Sequence, residues 1–250
     1  MPTARVLVRT ELLKLGTIRA PWLLAAGALV LTTLLALQPV TRTGRDGVPS
    51  IGTVNAALGV IDTVGRGALV ALLLGVLVVT SEFRHQTVGT TLLQTPNRIQ
   101  LVVAKSAASS LVGLALGIAA CLVVLGIGTV SGALRLELVN SDIALRVLGL
   151  VLTYPLYALL GTAVGALLNR HPSLAVILPI VWMLGAEGLA LSALPRPANT
   201  WSIEGVTGAL QHAGNVPYVL PVWLGGAALL SYALLLLAAG AFQLNRTDIT

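Results

Sequence analysis

Two hundred and fifty residues are enough for one or two soluble domains, but 56% of them are hydrophobic and only 10% charged. With a mean hydropathy of +0.92 and apolar residues in long runs that leave no polar face, a soluble fold is excluded and a polytopic membrane protein remains. The net charge of +6 reads as positive loops facing the cytoplasm, not as a nucleic-acid surface.

Residues 3–19 open the chain as an amphipathic helix. Val8, Leu12 and Leu15 recur at spacings of four and three, while Arg5, Arg9 and Lys14 occupy other faces. Such a helix lies along the inner membrane surface with its cations near anionic headgroups; a disordered basic tail is the plain alternative. A cleaved signal peptide fits less well, because about 20 residues precede the apolar run and no A-x-A site closes it. Six apolar stretches follow, at about 21–37, 65–80, 107–130, 147–168, 174–194 and 221–242. Each approaches the roughly 20 helical residues that a bilayer core demands. Pro21 suits a first helical turn, Pro155 removes an amide donor from the fourth stretch, and Pro179 and Glu187 lie in the fifth. The alternating segments of an outer-membrane barrel are absent. The expected architecture is all-α: one transmembrane domain over residues 1–250, with six spans and the interfacial helix.

An even number of spans puts both termini on one side, and charge decides which. The N-terminus, 81–106, 169–173 and 243–250 together hold nine cations against three anions, whereas the opposite segments hold six against five. The positive-inside rule therefore places both termini in the cytoplasm and the protein in the cell (inner) membrane. Cys121 has no partner for an intrachain disulfide, and His85, His171 and His212 are too scattered for a metal site.

Between the second and third spans, residues 82–98 mix charges, hydroxyls and a few apolar side chains before Pro96 breaks the helix. Val88, Leu92 and Thr95 share a stripe, and Glu82, Arg84 and Arg98 supply ionic contacts. The composition suits docking into a groove on another protein, with a solvated connector the even alternative. Glu187 is the one acid within a span; a charge at mid-membrane costs about 2.5–3.5 kcal/mol on insertion scales, so it faces a partner, a cavity or the dimer interface, contacting a cationic substrate or a gating partner, or else is protonated or pairs locally near the outer interface. Gly113/Gly117 and Gly161/Gly165 permit close helix crossing. Asp62/Arg66 and Asp142/Arg146 are spaced as i,i+4 pairs. In the outer segment 195–218, Trp201, Ile203, Val206 and Leu210 can form a short interfacial helix with the tryptophan at headgroup level; an ordinary loop is the alternative.

The run Glu82-Phe83-Arg84-His85-x-Thr87-Val88-x-x-Thr91-Leu92-Leu93-x-x-Pro96-x-Arg98 resembles the first intracellular loop of type-2 ABC transporter permeases. Glu11-Leu12-Leu13-Lys14-Leu15 before the first span and Asn245-Arg246-Thr247-Asp248-Ile249 at the end agree with it, although Asn245 and Thr247 depart from the family's Arg-Arg-Asp-Ile/Val ending. The resemblance implies that 82–98 is a coupling helix seated in a cleft of a separate P-loop ATPase, with Glu82, Phe83, Arg84, His85, Thr87, Thr91, Leu92, Pro96 and Arg98 making the contact. It implies two permease chains, like or unlike, with two ATPases, ATP and Mg bound only on the latter. Glu187 becomes a candidate for the substrate path or gating, and Trp201 for an outer gate, since family members often carry a partly re-entrant outer segment there.

The chain has no Walker A sequence of its own: Lys14 and Lys105 are its only lysines, and Ala104 stands where the glycine before Lys105 belongs. It carries no paired catalytic groups either, so no enzymatic activity is expected. The expected function is that of the membrane subunit of an ATP-driven exporter of hydrophobic or amphiphilic substrates such as drugs, peptides or lipids. A secondary transporter would want broken helices in two matching halves; a non-transporting scaffold or immunity protein is the other rival.

Overall fold

The computed structural model describes residues 4–42, 53–84, 98–134, 141–169, 171–182, 199–211 and 220–246, with positions 185, 189 and 192. Of residues 4, 82–84, 98, 142 and 244–246 it describes the backbone alone. Ten α-helices and no strand occur among the described residues. They are α1 (Ala4–Thr17), α2 (Arg19–Thr41), α3 (Val54–Ile61), α4 (Thr63–Arg66), α5 (Ala68–Arg84), α6 (Arg98–Val130), α7 (Ser141–Leu167), α8 (Pro172–Val181), α9 (Ile203–Leu210) and α10 (Val222–Arg246).

Five helical stretches are long and apolar enough to cross a membrane: Arg19–Thr41, Val54–Ser81, Ile99–Val130, Ile143–Leu167 and Val222–Gln243. Two differ from the sequence expectation at their starts. The second begins at Val54, because Thr53 caps α3 by accepting from the Ala56 amide; the third begins at Arg98, directly after Pro96 and Asn97, because nothing from there to Ala107 interrupts a helix. Of the expected fifth span, Pro172–Val181 is described as a shorter apolar helix, with Pro172 in its first turn.

α7 is the hub, packed against α5, α6 and α10. Glycines set how closely it is approached. A Cβ at Gly161 of α7 would run into the Leu72 carbonyl of α5, and one at Gly75 of α5 into the Ala158 carbonyl of α7. Gly113 and Gly117 of α6 face Tyr154 and Ala158 in the same way, at 2.9–3.0 Å from an added Cβ. Both glycine pairs are thus packing devices, and backbone contact of this kind is what holds helices together where lipid removes the hydrophobic drive. The matched positions also give direction: Leu72 and Val76 meet Gly161 and Gly165 in that order, so α5 and α7 run parallel. Gly225 lies beside α9 near the α7 start and Gly240 beside Ala166 near the α7 end, so α10 runs parallel as well. Ser109 of α6 meets Thr162 while Gly117 meets Tyr154, so α6 is antiparallel.

α2 touches the bundle through a stripe of small buried residues, Ala28, Thr32 and Ala36. Trp22, Leu23, Val30 and Leu34 stay exposed on its other faces. A helix apolar all round with one narrow buried stripe is suited to a lipid boundary.

Candidate functional site

At the end of the bundle where α1, the last turns of α5 and the first turns of α6 converge, two opposite charges are buried against each other. Glu11 of α1 and Lys105 of α6 are each 4% exposed. Lys105 Nζ donates to Glu11 Oε2 at 2.7 Å and reaches the Val78 carbonyl of α5 at 3.5 Å. Lys14 Nζ donates to the second carboxylate oxygen, Oε1, at 2.7 Å. One carboxylate thus joins two lysines, and the three helices α1, α5 and α6 meet at one ammonium.

Burial pushes the Glu11 carboxyl up, but the Lys105 ammonium, by charge and hydrogen bond, and then Lys14 outweigh it and hold the group below the usual glutamate range. Both carboxylate oxygens are satisfied, as a buried ion pair requires, and loss of either Glu11 or Lys105 would leave the other less well compensated. Sequence reasoning counted Glu11, Lys14 and Lys105 among solvated cytoplasmic charges. The available signal was position: Glu11 falls three residues after Val8 and four before Leu15, inside the apolar stripe, and Lys105 stands on the buried face with Leu101, Ala104 and Ala108.

The sequence-predicted residues border this cluster in part. Glu82, Phe83 and Arg84 form the last turn of α5, beginning four residues beyond Val78, and Arg98 opens α6 seven residues before Lys105, about 10 Å along the axis. His85, Thr87, Thr91, Leu92 and Pro96 lie outside the described residues, as does Glu187.

At the opposite end, Arg146 of α7 forks onto Asp62, with Nε to Oδ1 at 2.7 Å and Nη2 to Oδ2 at 2.6 Å. This corrects the expected i,i+4 pairing of Asp62 with Arg66; the side chain of Asp142, the expected partner of Arg146, lies outside what is described. Asp62 ends α3 at a break in the span, which places its carboxylate toward a neighbouring helix. Two residues on, the Val64 carbonyl of α4 accepts from the wholly buried Tyr154 hydroxyl at 2.6 Å, so the interruption between α3 and α5 is held from α7 on both sides.

Trp201 precedes α9, whose start is capped by Ser202 accepting from the Gly205 amide at 2.8 Å. One face of α9 packs into the bundle. Val206, Thr207, Ala209 and Leu210 are buried against α7 and α10, and a Cβ on Gly149 would run into the Leu210 carbonyl. Thr207 Oγ1 meets the Tyr157 hydroxyl at 3.1 Å, and Gln211 donates to Thr153 at 3.1 Å. The Trp201 carbonyl accepts from the Tyr232 hydroxyl at 2.8 Å, ten residues and about 15 Å into α10. Trp201 itself is exposed. Its backbone carbonyl thus lies beside the middle of α10.

The helices define the class: a multi-pass, all-helical membrane protein. No family model and no curated protein matches the chain.

Proposed function

We propose that the chain is the membrane-spanning permease subunit of an ATP-driven exporter of the type-2 ABC kind, moving a hydrophobic or amphiphilic substrate outward with energy from a separate P-loop ATPase. The observation that carries this reading is the 82–98 motif, whose two ends continue into the two long helices α5 and α6. A partner gripping that motif would hold both helices by their ends, which is what coupling requires. The Lys105 ammonium is committed to Glu11, in keeping with nucleotide binding on another chain.

Six spans fit the helix directions. The parallel run of α7 and α10 supports a further crossing between them, to which α8 would contribute. The charge balance then puts α1 and both termini in the cytoplasm of an inner-membrane protein, with α1 at the interface and α9 reaching back into the bundle from the outer side. Two such permeases with two ATPases, ATP and Mg on the ATPases alone, make the working unit.

Tagged chain purified from native membranes in mild detergent should carry a stoichiometric P-loop ATPase, and the Glu82→Ala/Arg84→Ala variant should insert normally but lose or weaken it. A chain free of ATPase in both samples would overturn the exporter reading. It would favour a secondary transporter, for which the interrupted span from α3 to α5 is the specific supporting feature.

A further inference from the structure

We propose that Glu11 and Lys105 are positioning residues that bind α1 to the bases of α5 and α6, so that the three helix ends move as one body when a partner acts on them. The inference rests on the exporter reading for its consequence and on the geometry alone for its mechanics. A surface helix needs no buried charge; α1 carries one, 4% exposed, and it meets a lysine 94 residues away at 2.7 Å. That lysine stands 3.5 Å from the carbonyl of Val78, only six residues short of the α5 end at Arg84. The joint between α1 and α2 is correspondingly short: Ile18 alone is extended, and Trp22 Nε1 donates back to the Gly16 carbonyl at 3.0 Å. A displacement of the α5 and α6 ends therefore has a direct route through Glu11 to α1 and on to α2, the helix with least burial in the bundle.

Removing one charge would leave the other less well compensated, so the informative variant removes both: Glu11→Gln with Lys105→Met, which keeps side-chain size and leaves no ion at either position. Spin labels at Arg9 and Leu122, both exposed, report α1 against α6; labels at Leu122 and Trp223 report the outer ends of α6 and α10. All are placed in a Cys121→Ala background, in the complex purified with its ATPase. The wild-type pairing should give a narrow α1–α6 distance distribution, and Mg-ATP with vanadate should shift the outer distance. In the double variant the melting temperature and the bound ATPase should be retained, the α1–α6 distribution should broaden, and the ATP-driven shift in populations should fall by about tenfold, within the range of an ordinary coupling between sites. A narrow distribution in the double variant overturns the proposal, since something else then holds α1. A broadened distribution with a full ATP-driven shift overturns the transmitting role. If the wild-type chain carries no ATPase, the exporter reading fails before any variant is made and the transmitting role falls with it; the α1–α6 distance then still decides whether the pair anchors the helix.

Discussion

Lys105 is surrounded by apolar neighbours on a helix otherwise fit for lipid, and its charge is tolerated there because Glu11 arrives from another helix. Glu11→Ala alone should destabilise the protein by about 3–5 kcal/mol, the usual consequence of removing one partner of a buried ion pair, whereas adding Lys105→Met should recover most of that loss. Thermal unfolding of the single and double variants in one detergent checks it; equal losses in both would mean the pair is not energetically linked. Acid gives a second route to the same contact. The Glu11 carboxyl is held below the usual range in the folded protein, so its contribution is complete above about pH 5 and is lost progressively as pH falls further, when the folded state must also take up the proton. A fluorophore at Arg9 should report release of α1 below that range and no change between about pH 5 and 8; release near neutrality would point to a different titrating group.

Helix crossings were legible in the sequence where glycines repeated at four-residue spacing, and Gly113/Gly117 and Gly161/Gly165 do sit at close approaches, while at Gly75 and Gly149, which no repeat marked, an added Cβ would run into the Ala158 and Leu210 carbonyls. The partners were not legible, because glycine spacing marks a groove without saying which helix fills it. Gly161→Leu should cost about 1–3 kcal/mol or more by forcing α5 from α7, since its side chain would meet backbone that cannot give. Gly126→Ala, where an added Cβ meets nothing within 4 Å, should be neutral or raise stability slightly by better helix propensity. Matching losses at both sites would deny the glycine contact its role. The ionic pairing of Asp62 shows the same limit: four-residue spacing suggested Arg66, but the break after α3 turns the carboxylate to Arg146, 84 residues on. With the Asp62 side chain 40% exposed, a double-mutant cycle on Asp62 and Arg146 should give about 1 kcal/mol or less.

For the molecule as a whole, composition alone carried the class, because nothing but a bilayer can accommodate chains of exposed Leu, Val and Trp such as those on α2 and α10. Charge placement could not reveal that Lys105 belongs to the interior, since a lysine near a span end reads equally as a loop charge. Removing Glu11 and Lys105 together from the cytoplasmic set leaves its balance unchanged, so the expected orientation survives their burial. That orientation has a direct test. In a Cys121→Ala background, single cysteines at Thr53, before α3, and at Arg9, on α1, fall at opposite ends of the bundle, both in exposed positions. A membrane-impermeant maleimide added to intact cells should modify the cysteine at 53 and reach the one at 9 only after the membrane is opened. The reversed pattern would place α1 and the helix ends at 84 and 98 outside the cell, where no cytoplasmic ATPase could engage them, and would end the exporter reading independently of any binding measurement.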